Sequence, residues 1–379
     1  MKFFSNSAIN RIYFHSGLQG FATNCGGAFI YVYLLKAGIA LPLVFVIIAA
    51  VVLSRLALRR FVVPVAKRIG LKQAFMLGTF IDASSYLVLG QVQGLSNWLF
   101  AYVVVASLGT TFYWTCFHAV VARLGDDEHR GSQVSVREAV FAVTAIIGPL
   151  VGGAALTVFG PFAAFAIAAT SYALAIVPIL GLPDMAIPAQ SIIASATKRF
   201  AFSLNFGDGL VAAAMNFGWK LVLFQALGAS FEAFGGALAI AGLVGAAMGM
   251  VFGRLIDMGH RKRAIEVGIG FVVIAVIAEG VGYGAPWSAL MATMLAAISV
   301  PVYMSAIMSP YYNIGKASDC TLRFVSVGEN GFDSGAGLGC LFAALIIWLG
   351  WGTIWLPVVG LLGCAGCYMV LSKFLPRAA

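Results

Sequence analysis

The sequence predicts an all-α polytopic membrane protein: twelve transmembrane helices in two pseudo-symmetric six-helix halves. Three observations carry this. Hydrophobic residues make up 61% of the 379 and charged residues only 10%, against about 25% charged in an ordinary soluble protein, too few for a water-facing surface. The apolar residues fall in runs of about 20, the length that carries a helix across a bilayer. They do not alternate as in an outer-membrane barrel, and helices satisfy their own backbone where lipid offers no hydrogen bonds. Finally, a short phrase recurs half a chain apart, VSVRE at 134–138 and VSVGE at 325–329.

In order, the spans of the first half (residues 1–182) read as 13–35, 40–62, 73–92, 98–122, 135–158 and 161–182. A linker with two prolines (183–200) leads into the second half (201–379), with spans at 201–227, 233–253, 264–283, 287–309, 326–348 and 352–373. Connections alternate in character. Those after odd-numbered spans are short and nearly uncharged, such as QGLSN and FGP; those after even-numbered spans carry RRFVVPVAKR, RLGDDEHR, TKR, HRKR and KASDCTLR. Lys and Arg stay on the cytoplasmic side of a membrane, so both termini are expected in the cytoplasm and the chain in a bacterial inner membrane. The net charge of +9 is then an orientation signal and calls for no nucleic-acid partner. The polar start of the chain and the length of the first run argue against a cleavable signal.

The two phrases sit in longer matching segments, RLGDDEHRGSQVSVRE between spans 4 and 5 and NIGKASDCTLRFVSVGE between spans 10 and 11. A second pair lies between spans 2 and 3 (VPVAKRIGLKQ, 63–73) and between spans 8 and 9 (FGRLIDMGHRKR, 252–263). Glycine there permits a tight turn, and an acid can fasten helix ends through basic residues and a positive N-terminus. The latter segment resembles the loop signature of the major facilitator superfamily through Gly253, Leu255, Asp257, Gly259, Arg261 and Lys262, with one residue fewer between Asp257 and Gly259. In the first copy Val63 and Lys67 replace the glycine and aspartate, while Arg68, Gly70 and Lys72 remain. Span 5 holds IIGPLVGG (146–153), similar to the family's G-P-x-x-G-G element through Gly148, Pro149, Gly152 and Gly153; ordinary helix packing by small residues is the other reading of it. HRG at 129–131 is similar to the family's Arg-Gly turn.

The resemblance implies a transporter whose spans 1, 4, 7 and 10 line a central cavity. Ionisable groups within a bilayer are costly and tend to face such a cavity or a partner. Asp208, Asn216, Trp219 and Lys220 fall within about 120° of one face of span 7 at 100° per residue. Span 4 offers Ser107, Thr110, Trp114 and His118, span 1 Asn24 and Tyr31, and span 10 Tyr303 and Ser305. Each also has a structural reading. Lys220 can snorkel, Asp208 can sit at the interface, His118 can be a hydrogen-bonded packing residue, and the span-10 tyrosines can form an aromatic belt. His118 and Asp208 are expected at similar depth, as a proton site or inner gate, because histidine titrates near neutral pH.

Asp82 is expected to pair with Arg55, and Glu279 to lie at the interface. Asp333, four residues beyond Glu329, has no acidic counterpart in the first half and is a second proton-site candidate. Glu138 and Glu329 are expected near helix N-termini, as parts of a conformational latch with Arg68, Arg130, Arg323 and the loop residues Gly253, Asp257 and Arg261. The six cysteines, including Cys364 and Cys367 of a CxxC, read as small apolar packing residues. Asp126-Asp127-Glu128-His129 could bind a metal but reads as a solvated turn. No Walker loop is present, so no cofactor, metal or ATP drive is expected.

The function these features predict is secondary active transport by a monomer, with proton-coupled export of an amphipathic or anionic metabolite or drug. Proton-coupled uptake of a small organic solute is the alternative, and a membrane-embedded enzyme a remote one.

Overall fold

A computed structural model describes residues 6–126, 129–188, 192–256 and 261–374, apart from the side chains of 131, 132, 135, 248–256 and 261–264. Among them the regular structure is helical. The first half begins with α1 (Ser7–Cys25), capped by Asn6, whose side chain accepts from Ile9 N at 3.1 Å. A single 3-10 turn after Gly26 breaks it from α2 (Ile30–Lys36). There follow α3 (Leu41–Leu58), α4 (Val62–Ile69), α5 (Leu71–Leu89), α6 (Asn97–Leu124), α7 (Arg130–Val158), α8 (Gly160–Leu174) and α9 (Ile176–Leu180). Gly70, at φ 97°, makes the sharp corner between α4 and α5 that a side chain would strain.

After the 183–194 stretch come α10 (Ser195–Ala212), a π-helical segment at 213–218, α11 (Trp219–Ala226), α12 (Phe231–Ile256), α13 (Arg261–Val281), α14 (Pro286–Ala317), α15 (Thr321–Trp348) and α16 (Leu356–Phe374). Eight helical stretches among the described residues are long and apolar enough to cross a membrane. Of the other expected spans, those at α1–α2 and α5 are helical but fall short of that measure, while α12 and α13 are helices whose side chains lie partly outside the described residues. Glycines divide α1 from α2, and Lys72, Gln73, Asp82, Ser84 and Ser85 dilute α5.

Several helices run past the apolar windows read from the sequence. α7 begins at Arg130 rather than 135, α15 at Thr321 rather than 326, and α14 continues to Ala317. Hydropathy marks where lipid ends, whereas a helix ends where its backbone is capped. Two further expectations fall with these boundaries. Glu138 and Glu329 lie more than two turns inside their helices, too deep for the terminal dipole to hold them.

The packing repeats. In the first half α1 packs on α7 and α8, α3 on α6, and α5 on α6 and α8. In the second, α10 packs on α15 and α16, α12 on α14, and α13 on α14 and α16. The two sets meet chiefly where α3 lies on α15 and α7 on α12. Small residues make the close approaches. A Cβ on Gly152 would strike the Cys25 carbonyl, one on Gly153 the Phe231 carbonyl, and one on Gly235 the Pro149 carbonyl. The GPLVGG stretch thus seats α7 against α1 on one side and α12 on the other.

Basic residues gather in the last turns of α4, α6 and α14, which share one end of the bundle. At this basic end Arg130 donates to the carbonyls of Val121, Ala122 and Gly125, closing the C-terminus of α6, and its Nε reaches Asn313 Oδ1 of α14 at 3.1 Å. Lys316 donates to Gly125 O at 2.9 Å. At the opposite end Lys36 donates to Ala229 O at 3.1 Å.

Candidate functional site

Two features lie where the helix sets meet. The first is a cavity of about 230 Å³ between α7 with the end of α1, and the 213–218 segment with α11–α14 of the second half. Its wall is mostly apolar, with alanines and glycines of α7, α12 and α14. Polar groups converge on it from Asn24, Asn216, Trp219, Lys220, Glu138 and Glu279.

The elements place these groups in different ways. The π-helical segment 213–218 precedes Trp219 and shifts the helix phase there; such insertions recur at functional sites. Trp219 is buried and its indole N–H donates to Thr293 Oγ1 at 2.9 Å, which fixes the ring. Lys220, half-buried, has no hydrogen-bond or ion-pair partner among the described residues. Asn24 donates to Gly20 O at 2.9 Å and to Thr144 Oγ1 at 3.2 Å, tying α1 to α7 beside the cavity. Glu138 accepts from Arg137, its neighbour on α7, at 2.5 Å.

Glu279 departs from the expected interfacial position. It is 4% exposed, lines the cavity from α13, and its Oε1 is buried with no hydrogen-bond partner. Its place so near the end of an apolar run hid it; hydropathy reports depth, not which face of a helix is turned inward.

Other proposed binding residues lie elsewhere. Tyr31 stands edge-on to Phe217, with centroids 5.6 Å apart. Thr110 bonds back to Ala106 O of its own helix. Trp114 stacks on His118 at 5.5 Å. Tyr303 and Ser305 are buried in α14 away from the cavity wall. Tyr303 donates instead to Asp208 Oδ1 at 2.9 Å, joining α14 to α10.

The second feature is a buried charge cluster between α3 and α15. Arg55 Nη2 lies 3.0 Å from Glu329 Oε2, and its Nε 3.1 Å from Asp333 Oδ1. Arg59 Nη2 lies 2.6 Å from Asp333 Oδ2 and 3.8 Å from Glu329 Oε2. The Asp333 contacts are ion pairs by distance without hydrogen-bond angles. Arg59 also donates to Asn330 Oδ1 at 2.9 Å and Thr115 Oγ1 at 3.3 Å. His118 reaches Glu329 Oε1 at 3.6 Å through Nε2 and the Tyr312 hydroxyl at 2.6 Å through Nδ1. Two arginines thus face two carboxylates, all four buried, with α6 and α14 joined through Thr115, His118 and Tyr312. Buried ion pairs break at high cost when one partner goes, because the other charge is left unpaired in low dielectric.

This arrangement corrects two expectations. Arg55 pairs with Glu329 and Asp333 rather than Asp82, whose nearby hydroxyl is that of Ser85 at 3.5 Å. His118 meets Glu329 and Tyr312, while Asp208 meets Tyr303, so the two do not form one site. Arg59 was hidden in what read as a basic connection; the chain stays helical there through a 3-10 turn at Arg59–Phe61 and buries it. The spacing could have found it. Arg55 and Arg59 are four apart, as are Glu329 and Asp333, so each pair shares a helix face.

Of the remaining latch residues, Arg68 is exposed at the end of α4, and Arg323 is half-buried early in α15. Asp257 and the side chain of Arg261 lie outside the described residues, and Gly253 is described only as part of the α12 backbone. Asp126 of the acidic loop accepts from Gln133 at 2.6 Å and Asn6 at 3.2 Å, while Asp127 and Glu128 lie outside the described residues. All six cysteines are unbridged and buried.

A search of curated protein sequences finds no match. The fold is similar to that of the human organic anion transporter MFSD10 (TETRAN), at 16% identity and a TM-score of 0.68 over 96% of this chain and 99% of that one. It is also similar to a POT family transporter solved with a thioalcohol-conjugated peptide, at 14% identity and a TM-score of 0.67 over 96% of this chain and 95% of that one. A POT family transporter solved with 5-aminolevulinic acid gives 13% identity and a TM-score of 0.69 over the same shares. At such identities these likenesses speak to fold alone. The family profile described as Major Facilitator Superfamily matches residues 13–319, most of the chain. With an all-helical fold and two helix sets that repeat the same neighbours, that match settles membership: the chain belongs to the major facilitator superfamily of transporters.

Proposed function

We propose that this protein moves a small solute across a membrane by alternating access, its twelve crossings forming two six-helix halves (1–182 and 201–379) joined by the 183–200 linker. The observation that carries the reading is Lys220. It is a cation with no partner among the described residues, set in a cavity bordered by helices of both halves. An unpaired cation in a mostly apolar wall favours a substrate with an anionic group and an apolar body. The matching neighbours within each half support the division into two rocking units.

The α3–α15 charge cluster serves as the gate at the basic end, because opening there must part Arg55 and Arg59 from Glu329 and Asp333. Asp208, Asp333 and His118 remain the proton-coupling candidates, each beside a partner that a proton would perturb. The clustering of Lys and Arg supports a cytoplasmic position for the basic end and both termini, with the protein in a bacterial inner membrane. The protein acts as a monomer and as a proton-coupled exporter, the direction implied by the resemblance of the GPLVGG stretch to the family's G-P-x-x-G-G element, which is associated mainly with drug and metabolite antiporters.

Reconstitution in liposomes tests this. A panel of small organic anions is offered with and without a pH gradient. Saturable flux of at least one anion is expected, stimulated by the gradient and reduced about tenfold or more in Lys220→Ala, the least that loss of one charge-assisted contact removes. The direction in which the gradient drives accumulation separates export from uptake. Unchanged anion flux in Lys220→Ala would overturn the role given to Lys220.

A further inference from the structure

Lys220 is not the only ionisable group in the cavity without a partner among the described residues. Glu279 reaches the same cavity from α13, buried, with Oε1 lacking any hydrogen-bond partner. A carboxylate and an ammonium held away from bulk water are each costly to leave unpaired. Here both line one cavity, yet they do not meet within the 4.0 Å that defines an ion pair. Long side chains of opposite sign that share a low-dielectric space attract one another strongly. A pair that served stability alone would close up, as Arg59 and Asp333 do at 2.6 Å.

The other ionisable group on the wall does not compete for this role. Glu138 is already held by Arg137 at 2.5 Å. Trp219, next to Lys220, spends its indole N–H on Thr293, so its ring is held in place on the cavity wall. Glu279 and Trp219 also border a smaller adjoining pocket beside Tyr283 and Thr353. The cavity of about 230 Å³ is smaller than the roughly 300–1,000 Å³ of drug-sized pockets, so its occupant is small.

We infer that Lys220 and Glu279 are the two poles of a binding site for a small zwitterion, Lys220 taking a carboxylate and Glu279 an ammonium group. The inference rests on the proposed transport reading and deepens it. It replaces a general organic anion by a compact solute bearing both charges, which satisfies both groups at once and enters the apolar cavity without net charge.

The test uses the full-length purified protein and a graded series of ω-amino acids, each with its matched carboxylic acid and its matched amine. Binding is read as a shift in melting temperature and by titration. One chain length of ω-amino acid should bind about tenfold or more tighter than either single-charge analogue, since each pole adds a charge-assisted contact. Glu279→Gln should erase the advantage over the carboxylic acid, and Lys220→Met the advantage over the amine. The melting temperature of each unliganded variant reports folding, and Glu279→Asp, which keeps the charge, should retain part of the preference. The inference is overturned if no ω-amino acid exceeds its carboxylic acid, or if Glu279→Gln weakens both equally. If carboxylates then still move across liposomes in a Lys220-dependent way, the transport reading survives without the second pole. If no flux depends on Lys220, both readings fail.

Discussion

Arg59 and Asp333 lie 2.6 Å apart, both buried, on helices that belong to opposite halves of the molecule. In the proposed alternating-access cycle the contact is also a mechanical link, because parting the halves at this end must break it. Arg59→Met leaves Asp333 with Arg55 alone at 3.1 Å. It should lower stability by about 3–5 kcal/mol, the usual cost of stranding a buried charge. Arg59→Met with Asp333→Leu should recover most of that loss, because apolar replacement of a whole buried pair is close to neutral. Thermal unfolding in detergent checks both.

The Asp208–Tyr303 bond separates structure from coupling. Asp208→Asn keeps an acceptor for the Tyr303 hydroxyl, so stability should change by no more than about 1 kcal/mol, one hydrogen bond's worth. If Asp208 carries the coupling proton, liposome flux in this variant should lose its response to a pH gradient while ligand binding persists. A normal gradient response would assign the pair to helix packing.

The α1–α7 contact predicts a contrast between glycines. Gly152→Ala puts a methyl group against the Cys25 carbonyl and should cost about 1–3 kcal/mol, as overpacking does. Gly236→Ala meets nothing within 4 Å and should be neutral or stabilise by about 0.5–1 kcal/mol through helix propensity. Melting temperatures of the two variants decide the matter.

His118 ties two neighbours across the halves, Tyr312 at 2.6 Å and Glu329 at 3.6 Å. Tyr312→Phe removes the stronger bond and should cost about 0.5–1.5 kcal/mol. It should also change the rate of substrate exchange more than its affinity, because neither residue borders the cavity. Equal effects on rate and affinity would move His118 from gate to binding site.

Much of this was legible in the sequence because its signals are strong. Long apolar runs, alternating basic connections and the repeated VSVRE phrase pointed to the fold class and the internal repeat, and they did so without any site chemistry. Asn24, Asn216, Trp219 and Lys220 were also legible, since polar residues inside an apolar helix have few places to go. The misses share a cause. Hydropathy tells how deep a residue lies, not what faces it. It therefore left Arg59 in a basic stretch closing span 2, Glu279 at an interface and Arg55 beside Asp82. The partner of a buried charge lies on another helix, and the sequence hints at it only through matched spacing, as with Arg55 and Arg59 against Glu329 and Asp333.

Reciprocal movement of the two ends is the core of alternating access, and distances between spin labels measure it directly. Arg60→Cys with Asp319→Cys reports the basic end, and Val158→Cys with Glu232→Cys the opposite end. All four positions are exposed, while the six native cysteines are buried. Introducing Arg59→Met should lengthen the basic-end distance and leave the opposite-end distance unchanged or shorter. Lengthening at both ends together, or at neither, would contradict the account.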